Sequence, residues 1–199
     1  MTKTYFMRVF NLFWKSLGFS IVMGLLSVVV KYFIVFITKF QTTTPSLNLV
    51  RVIHFLTLSS DTMKNIAICL MIISSVLLAK EIIVRIRYDS LRNLPKSISG
   101  TFKIRKFLIH REIIQKDEEP SQINRTVLKY NKAVNHAVIE IWDSQLILYL
   151  KLPKEYQAQK MLKDREEEIK EEIASAYPQY LISTFEREKH SLWLKGTRK

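Results

Sequence analysis

The chain has 199 residues, of which 48% are hydrophobic, and it carries a formal net charge of +13 with a sequence pI near 9.8. That length accommodates one or two small domains. The single cysteine, Cys69, excludes an intramolecular disulfide and a cysteine-rich metal site.

The excess positive charge is confined to the first half of the chain. Residues 1–111 carry 16 Lys and Arg against three acidic residues, whereas residues 112–199 carry 15 of each. The excess therefore surrounds the apolar segments, which indicates membrane topology more than nucleic-acid binding. We expect direct nucleic-acid binding by the neutral half to be absent or weak.

The first apolar segment, residues 16–38, is 23 residues long and contains one charge, Lys31. A helix needs about 20 apolar residues to cross the hydrocarbon core, so this segment is predicted to be the first transmembrane helix. Residues 1–15 mix aromatic side chains with cations and are predicted to be a cytoplasmic interfacial segment. Lys31 lies past the centre of the span, which favours a side chain that snorkels to the headgroups over a functional intramembrane charge. Its role stays open.

The second apolar run, residues 66–79, is only 14 residues long, a length that also fits the core helix of a soluble domain. Continued through Lys80 and Glu81, it makes a second transmembrane helix at 65–87. Residues 39–64 between the two spans are then an external loop.

The distribution of Lys and Arg predicts the orientation of this hairpin. Three lie in residues 1–15 and eight in residues 85–111, against three in the loop at 39–64. By the positive-inside rule, both termini are cytoplasmic in a two-span protein of the cell membrane. Residues 88–111 are predicted to be a basic juxtamembrane linker. The cations predicted to hold the chain at the anionic membrane surface are Arg85, Arg87, Arg92, Lys96, Lys103, Arg105 and Lys106.

Residues 112–199 are predicted to form a small cytoplasmic α+β domain of order β-β-α-β. In residues 137–153, apolar and polar side chains alternate on both sides of a polar turn, which is typical of a β-hairpin. Residues 154–177 have helical periodicity, and Pro178 ends that helix. Residues 180–196 alternate again as one or two strands, and the segment 101–115 adds a helical or mixed element. The Glu/Lys-rich face of the helix is interpreted as solvated, with an acidic partner-binding surface as the alternative.

The sequence contains no recognisable group of residues for catalysis or for binding a metal or a cofactor. We therefore expect that the protein is not an enzyme. The four histidines have no ligand spacing, and no nucleotide-binding or nucleophile motif is present. These histidines are His54, His110, His136 and His190.

The order of elements resembles the N-terminal membrane region of FtsK/HerA-like coupling proteins of Gram-positive conjugative elements. The resemblance runs through "RIRYDSLRNL" after the second span, "LYLKLP" ending the hairpin and "HSLWL" in the closing strand. In that family a membrane hairpin and a small α/β domain precede a hexameric DNA-pumping ATPase. No Walker A or Walker B motif is found here, so no catalytic residue is carried over.

Together these patterns predict a non-enzymatic bacterial membrane protein of a mobile-element or plasmid transfer (conjugation) apparatus. Its cytoplasmic domain would act as a membrane-tethered interaction module. The expected partners are the lipid bilayer and other membrane or transfer-apparatus proteins, and a homo-oligomer is left open. The alternative is a bacteriocin-immunity, phage-defence or regulatory membrane protein in which the hairpin or the external loop is the working part.

Overall fold

The structure, a computed structural model, describes residues 2–43, 49–109 and 122–199. The chain divides into two compact units. One is Val9–Glu81, which is helical, and the other combines Met1–Arg8 with Ile82–Lys199. The second unit contains helices and an antiparallel sheet. The prediction of two long apolar helices followed by a small mixed α+β domain is therefore confirmed.

Two helices of 39 residues each, α1 (Tyr5–Thr43) and α2 (Val50–Tyr88), account for the apolar segments. At a rise of about 1.5 Å per residue, each is about 58 Å long. Both are long and apolar enough to cross a membrane, by length and composition. Most large apolar side chains in these segments are exposed in the isolated chain.

The interval predicted as an external loop, 39–64, is largely helical. Helix α1 continues to Thr43, and residues 50–64 belong to α2. The reason is local, because residues 50–64 contain no Pro or Gly that would end a helix. Residues 44–48 lie outside the described part of the chain.

Serine hydroxyls connect the two helices of the unit Val9–Glu81. The Oγ of Ser27 donates to the carbonyl of Ser60 at 3.0 Å, and Ser60 Oγ returns a bond to the carbonyl of Ser27 at 3.1 Å. Ser20 Oγ donates to the carbonyl of Ala67 at 2.8 Å. Small residues allow helix backbones to approach closely, and their hydroxyls add hydrogen bonds. The buried serines of this interface are Ser16, Ser20, Ser27, Ser60 and Ser74.

Lys31 of α1 has a partner on the neighbouring helix. Its Nζ lies 3.8 Å from Oδ1 of Asp61, and both side chains are about half exposed. An ion pair of that exposure contributes little to stability. The sequence alone did not indicate that Lys31 would contact Asp61.

In the part of the mixed unit that the structure describes, there are four further helices and five strands. The helices are α3 (Asn93–Leu108), α4 (Gln122–Val134), α5 (Tyr156–Lys163) and α6 (Glu166–Ala176). The strands are β1 (Val138–Ile141), β2 (Gln145–Lys151), β3 (Tyr180–Ile182), β4 (Glu186–Glu188) and β5 (Ser191–Arg198).

All strand pairs are antiparallel, in the order β1-β2-β5-β3, with β4 also pairing with β5. The predicted hairpin at 137–153 is confirmed as β1 and β2. Strand alternation sends Ile139 and Ile141 to the helix-covered face and Glu140 to the opposite face. The side chains of the core on the helix-covered face include Ile104, Leu108, Tyr130, Val134, Leu148, Leu162, Ile169, Ile173 and Leu194.

The structure corrects the predicted boundary of this domain. Residues 88–111 are not a linker, because α3 occupies most of that interval and places Ile104 and Leu108 in the core. The inward-facing residues at 97, 100 and 101 are small or polar, so the apolar periodicity of a helix is weak in this segment. Its many lysines and arginines therefore indicate a basic linker. The last two residues of the interval, 110 and 111, lie outside the described range.

The helix predicted at 154–177 is two helices, with the break at Asp164 and Arg165. The Arg165 guanidinium donates to the carbonyls of Leu108 at 3.0 Å and Phe107 at 3.3 Å, at the end of α3. Those carbonyls have no partner within their own helix, so Arg165 caps α3. The final segment forms three strands. Among the described residues from 122 onward, the order is α-β-β-α-α-β-β-β in place of the predicted β-β-α-β, and α3 precedes them.

Candidate functional site

Arg85, in the last turn of α2, is fully buried. Its Nη1 donates to Oδ2 of Asp89 at 2.7 Å and to the carbonyl of Ile141 at 2.6 Å. Its Nη2 donates to Oε1 of Glu140 at 3.2 Å. The second carboxylate oxygen of Glu140 accepts a hydrogen bond from the hydroxyl of Thr4. We call Thr4, Arg85, Asp89 and Glu140 the Arg85 cluster.

Aromatic rings complete the surroundings of this guanidinium. Its carbon lies 4.3 Å from the ring centroid of Trp142 and 5.8 Å from that of Phe6. A buried cation gains from such faces because water does not compete for it. Removing one partner of a buried ion pair typically costs about 3–5 kcal/mol, since an uncompensated charge remains. The cluster therefore fixes Thr4, the end of α2 and β1 against one another.

Asp89 extends the cluster towards the β1–β2 turn. Its Oδ1 accepts hydrogen bonds from the backbone N–H of Asp143 at 2.9 Å and from Nδ2 of Asn93 at 3.0 Å. Burial alone would raise the pKa of Asp89, but the hydrogen bonds from Asp143, Arg85 and Asn93 outweigh it and lower the pKa below its usual 3.8. Asp89 is therefore a carboxylate at neutral pH.

Side chains of α3 bind the outer edge of β1 in a regular series. Ser97 Oγ accepts from the N–H of Ile141 at 2.9 Å. Thr101 Oγ1 accepts from the N–H of Ile139 and donates to its carbonyl, both at 3.1 Å. Arg105 Nε donates to the carbonyl of Ala137 at 2.8 Å.

The spacing of this series follows from helix and strand geometry. Four residues of a helix rise about 6 Å, close to the advance of two residues along a strand. Helix positions 97, 101 and 105 therefore match strand positions 141, 139 and 137, which run in the opposite direction. The edge of β1 is thereby satisfied by side chains in place of a further strand.

The opposite face of α3 is basic. Four exposed cations lie on this face: Arg92, which is the N-cap residue of α3, and Lys96, Lys103 and Lys106 within the helix. Their spacing of four, seven and three residues keeps them on one side. The helix contains no Asp or Glu. We call these four side chains the α3 basic face. It is suited to an anionic surface.

The predicted membrane-surface cations thus separate into two groups. The expectation is wrong for Arg85, because a guanidinium with no exposed surface cannot reach lipid headgroups. Arg105 is half-buried with its Nε on β1, and burial lowers its pKa to about 10, so it remains protonated at neutral pH. For Arg87 and the four members of the α3 basic face, which are exposed, the membrane-surface role stays a prediction.

The histidines are dispersed over the structure. His54 and His190 are exposed, and Nδ1 of His136 lies 2.7 Å from the carbonyl of Lys132. His110 falls outside the described residues. Across residues 2–43, 49–109 and 122–199, His, Cys, Asp and Glu form no group of three or more that could hold a metal ion.

Sequence reasoning missed most of the Arg85 cluster, although signals for it exist. Glu140 interrupts the apolar run of residues 137–142, and a carboxylate flanked by two isoleucines in a buried strand requires a cationic partner. Arg85 and Asp89 have the i,i+4 spacing of a helical ion pair. Thr4 had no recognisable signal, because its partner is 136 residues away.

Comparison with models of known protein families gives no match for this sequence, and no curated protein matches it significantly.

Proposed function

We propose that the chain is an integral membrane protein with two spans and cytoplasmic termini, and that its α+β domain is a non-enzymatic interaction module. The lengths and apolar compositions of α1 and α2 support membrane insertion. The exposed apolar side chains of these helices would be costly in water and favourable in lipid. The excess of Lys and Arg outside the predicted external segment supports the orientation.

The observation that carries the proposal is the attachment of the domain to the end of α2. Helix α2 runs without a break to Tyr88, and its residues from Ile82 onward belong to the same compact unit as the sheet. Arg85 joins that last turn to Glu140 of β1 inside the protein interior. The last turn of α2 is therefore part of the folded domain itself, which supports a module whose fold begins at the predicted end of the second span.

The α3 basic face supplies the surface through which such a module would work. Its four cations lie on the helix whose other side is bonded to β1, so the surface is held in place. We propose that it contacts anionic headgroups at the cytoplasmic leaflet, where each cation contributes about 1 kcal/mol. A plasmid or mobile-element transfer apparatus remains the proposed setting, on the resemblance of the sequence alone.

Protease protection tests the topology. The full chain carrying a C-terminal tag is expressed in bacteria, and protease is added to spheroplasts or to inverted membrane vesicles. We expect residues 88–199 to be digested only in the inverted vesicles. Digestion in intact spheroplasts would overturn the proposed orientation.

Photo-crosslinking tests the interaction module. A photoreactive amino acid replaces Lys103 on the α3 basic face, and a matched position, Lys195 on β5, serves as the control. Crosslinks to lipid or to one membrane protein from Lys103 but not from Lys195 support the proposal. Equal labelling from both positions would contradict it.

A further inference from the structure

A cleft of about 360 Å³ lies between α4 and the end of β2, and its lining includes no residue of the α3 basic face. Four lysines and one histidine line it: Lys129, Lys132, Lys151, Lys154 and His136. The half of the chain that contains it, residues 112–199, has as many acidic as basic residues. The cleft is therefore a local concentration of positive charge in a half of the chain whose basic and acidic residues balance.

The local structure explains why these cations converge. Lys129, Lys132 and His136 follow one another at three and four residues, which places them on one side of α4 and the turn after it. Lys151 is the last residue of β2, and Lys154 follows three residues later. Two separate elements thus direct cations into the same space.

The loop that carries Lys154 is held by hydrogen bonds. The N–H of Leu152 donates to the carbonyl of His190 at 2.9 Å, and Gln159 Nε2 donates to the carbonyl of Pro153 at 2.8 Å. Leu152 and Pro153 are buried, and Pro153 fixes its own φ. The cleft is therefore preformed, which lowers the entropic cost of binding a ligand.

The charge of the cleft is only partly neutralised. Lys129 Nζ lies 2.7 Å from Oε2 of Glu155, and this carboxylate also accepts from the Thr126 hydroxyl at 3.1 Å. Within the described part of the chain, Lys132, Lys151 and Lys154 have no carboxylate partner. These three exposed ammonium groups repel one another across the cleft, whereas an anion there would be stabilised by all three.

The side chains define the chemistry of the anion. Lysine ammonium groups are compact charges with several N–H donors, which suit the tetrahedral oxygens of a phosphate. The Nδ1 of His136 lies 2.7 Å from the carbonyl oxygen of Lys132, which only accepts, so Nδ1 donates there and the lysines supply the donors to the phosphate. Ala133, Leu152 and Pro153 line the rest of the cleft. Its volume is within the range of small-molecule sites.

We propose that this cleft binds the phosphate group of a small phosphorylated ligand, with Lys132, Lys151 and Lys154 holding the phosphate oxygens. The apolar lining would contact the organic part of that ligand. The ligand is either a soluble organic phosphate or the headgroup of a phosphomonoester lipid. The inference goes beyond the proposed function, because it needs neither the membrane topology nor a protein partner.

Calorimetric titration of the full chain, purified in an uncharged detergent, tests the proposal. The probes are adenosine diphosphate, inorganic pyrophosphate and the short-chain lipid dihexanoyl phosphatidic acid. Saturable binding of the first two identifies a soluble ligand, whereas binding of the lipid alone identifies a headgroup, and both support the proposal.

Matched lysine substitutions locate the binding. Changing Lys132, Lys151 and Lys154 together to Gln is expected to weaken binding by about tenfold for each lysine. The control changes Lys160, Lys163 and Lys195 to Gln, which removes the same charge elsewhere, and leaves the affinity unchanged. All six positions are exposed, so both variants are expected to fold, as circular dichroism will check.

Three results would overturn the proposal. One is the absence of binding for all three probes, and another is an equal loss of affinity in the two triple variants. The third is binding of a single-stranded RNA oligonucleotide that pyrophosphate does not displace, because that result would assign the cleft to nucleic acid. As a second variant, Lys151→Glu reverses one charge and is expected to abolish binding of whichever probe binds the unmodified chain.

Discussion

Arg85 and Glu140, 55 positions apart in the sequence, form an ion pair of 3.2 Å in which both side chains are buried. The pair joins the last turn of α2 to the first strand of the sheet. It is accompanied by Asp89, so one buried guanidinium serves two carboxylates.

Replacing Arg85 with Met leaves Glu140 and Asp89 without their shared cation. We expect the free energy of unfolding to fall by about 3–5 kcal/mol, because two carboxylates lose compensation inside the protein. Urea unfolding of the full chain in detergent measures this. Arg87→Met, two residues along and exposed, is the control and is expected to change stability by less than about 0.5 kcal/mol. Equal effects of the two substitutions would show that the Arg85 cluster is not a stabilising unit.

Thr101→Val removes the hydroxyl that serves both the N–H and the carbonyl of Ile139. The side chain keeps its shape, so the loss is that of two hydrogen bonds to a buried strand edge. We expect a destabilisation of about 1–3 kcal/mol and faster hydrogen exchange at the Ile139 amide. Ser99→Ala, on the exposed side of α3, is the matched control. An unchanged exchange rate at Ile139 would contradict the series of contacts between α3 and β1.

The pH dependence of stability should include a contribution from Asp89. Its pKa is lower in the folded chain than the ordinary 3.8, so the folded state binds fewer protons than the unfolded state near that pH. The stabilisation is fully present above about pH 4 and is lost as the pH falls through the lowered value. Asp89→Asn should therefore be less stable than the wild type at neutral pH and show a flatter decline in acid. Asp164→Asn, at an exposed position between α5 and α6, should leave the profile of the wild type unchanged.

Gly100→Ala tests how closely α3 approaches its neighbours. A Cβ at this position would lie 2.9 Å from Cγ2 of Ile139 and still closer to the hydroxyl of Tyr177. We expect a destabilisation of about 1–3 kcal/mol from overpacking. Adding Tyr177→Phe removes the hydroxyl and should recover part of that loss, as thermal unfolding will show. No recovery would locate the strain entirely at Ile139.

The sequence predicts those parts of the fold whose signals are local. The hairpin of β1 and β2 follows from alternation around a short polar turn, and helix α6 ends before Pro178 as expected. The two apolar helices follow from their length and composition. Each of these features depends on residues that are neighbours in the sequence.

The parts that were not predicted depend on distant partners. Helix α3 is predicted only in part, since residues 101–115 indicate a helical or mixed element but residues 88–111 are assigned to a linker. The inward face of α3 uses Ser97, Gly100 and Thr101, which contact β1 by hydrogen bonds and close packing and give little hydrophobic signal. Arg85 was assigned to the membrane surface because the composition of a basic flank does not reveal which cation will meet a buried Glu140. The basic cleft was missed because its lysines come from α4 and from the end of β2.

The series of side-chain bonds from α3 has a consequence for how the domain associates with other chains. An open strand edge recruits foreign strands, and proteins commonly block this with charge, proline or a covering element. Here helix α3 covers the edge of β1, and its side chains bind the backbone N–H and carbonyl groups with which an incoming peptide would pair. Self-templated growth of the sheet from that side would require α3 to detach first, so the domain can be concentrated at a surface without seeding fibrils through β1.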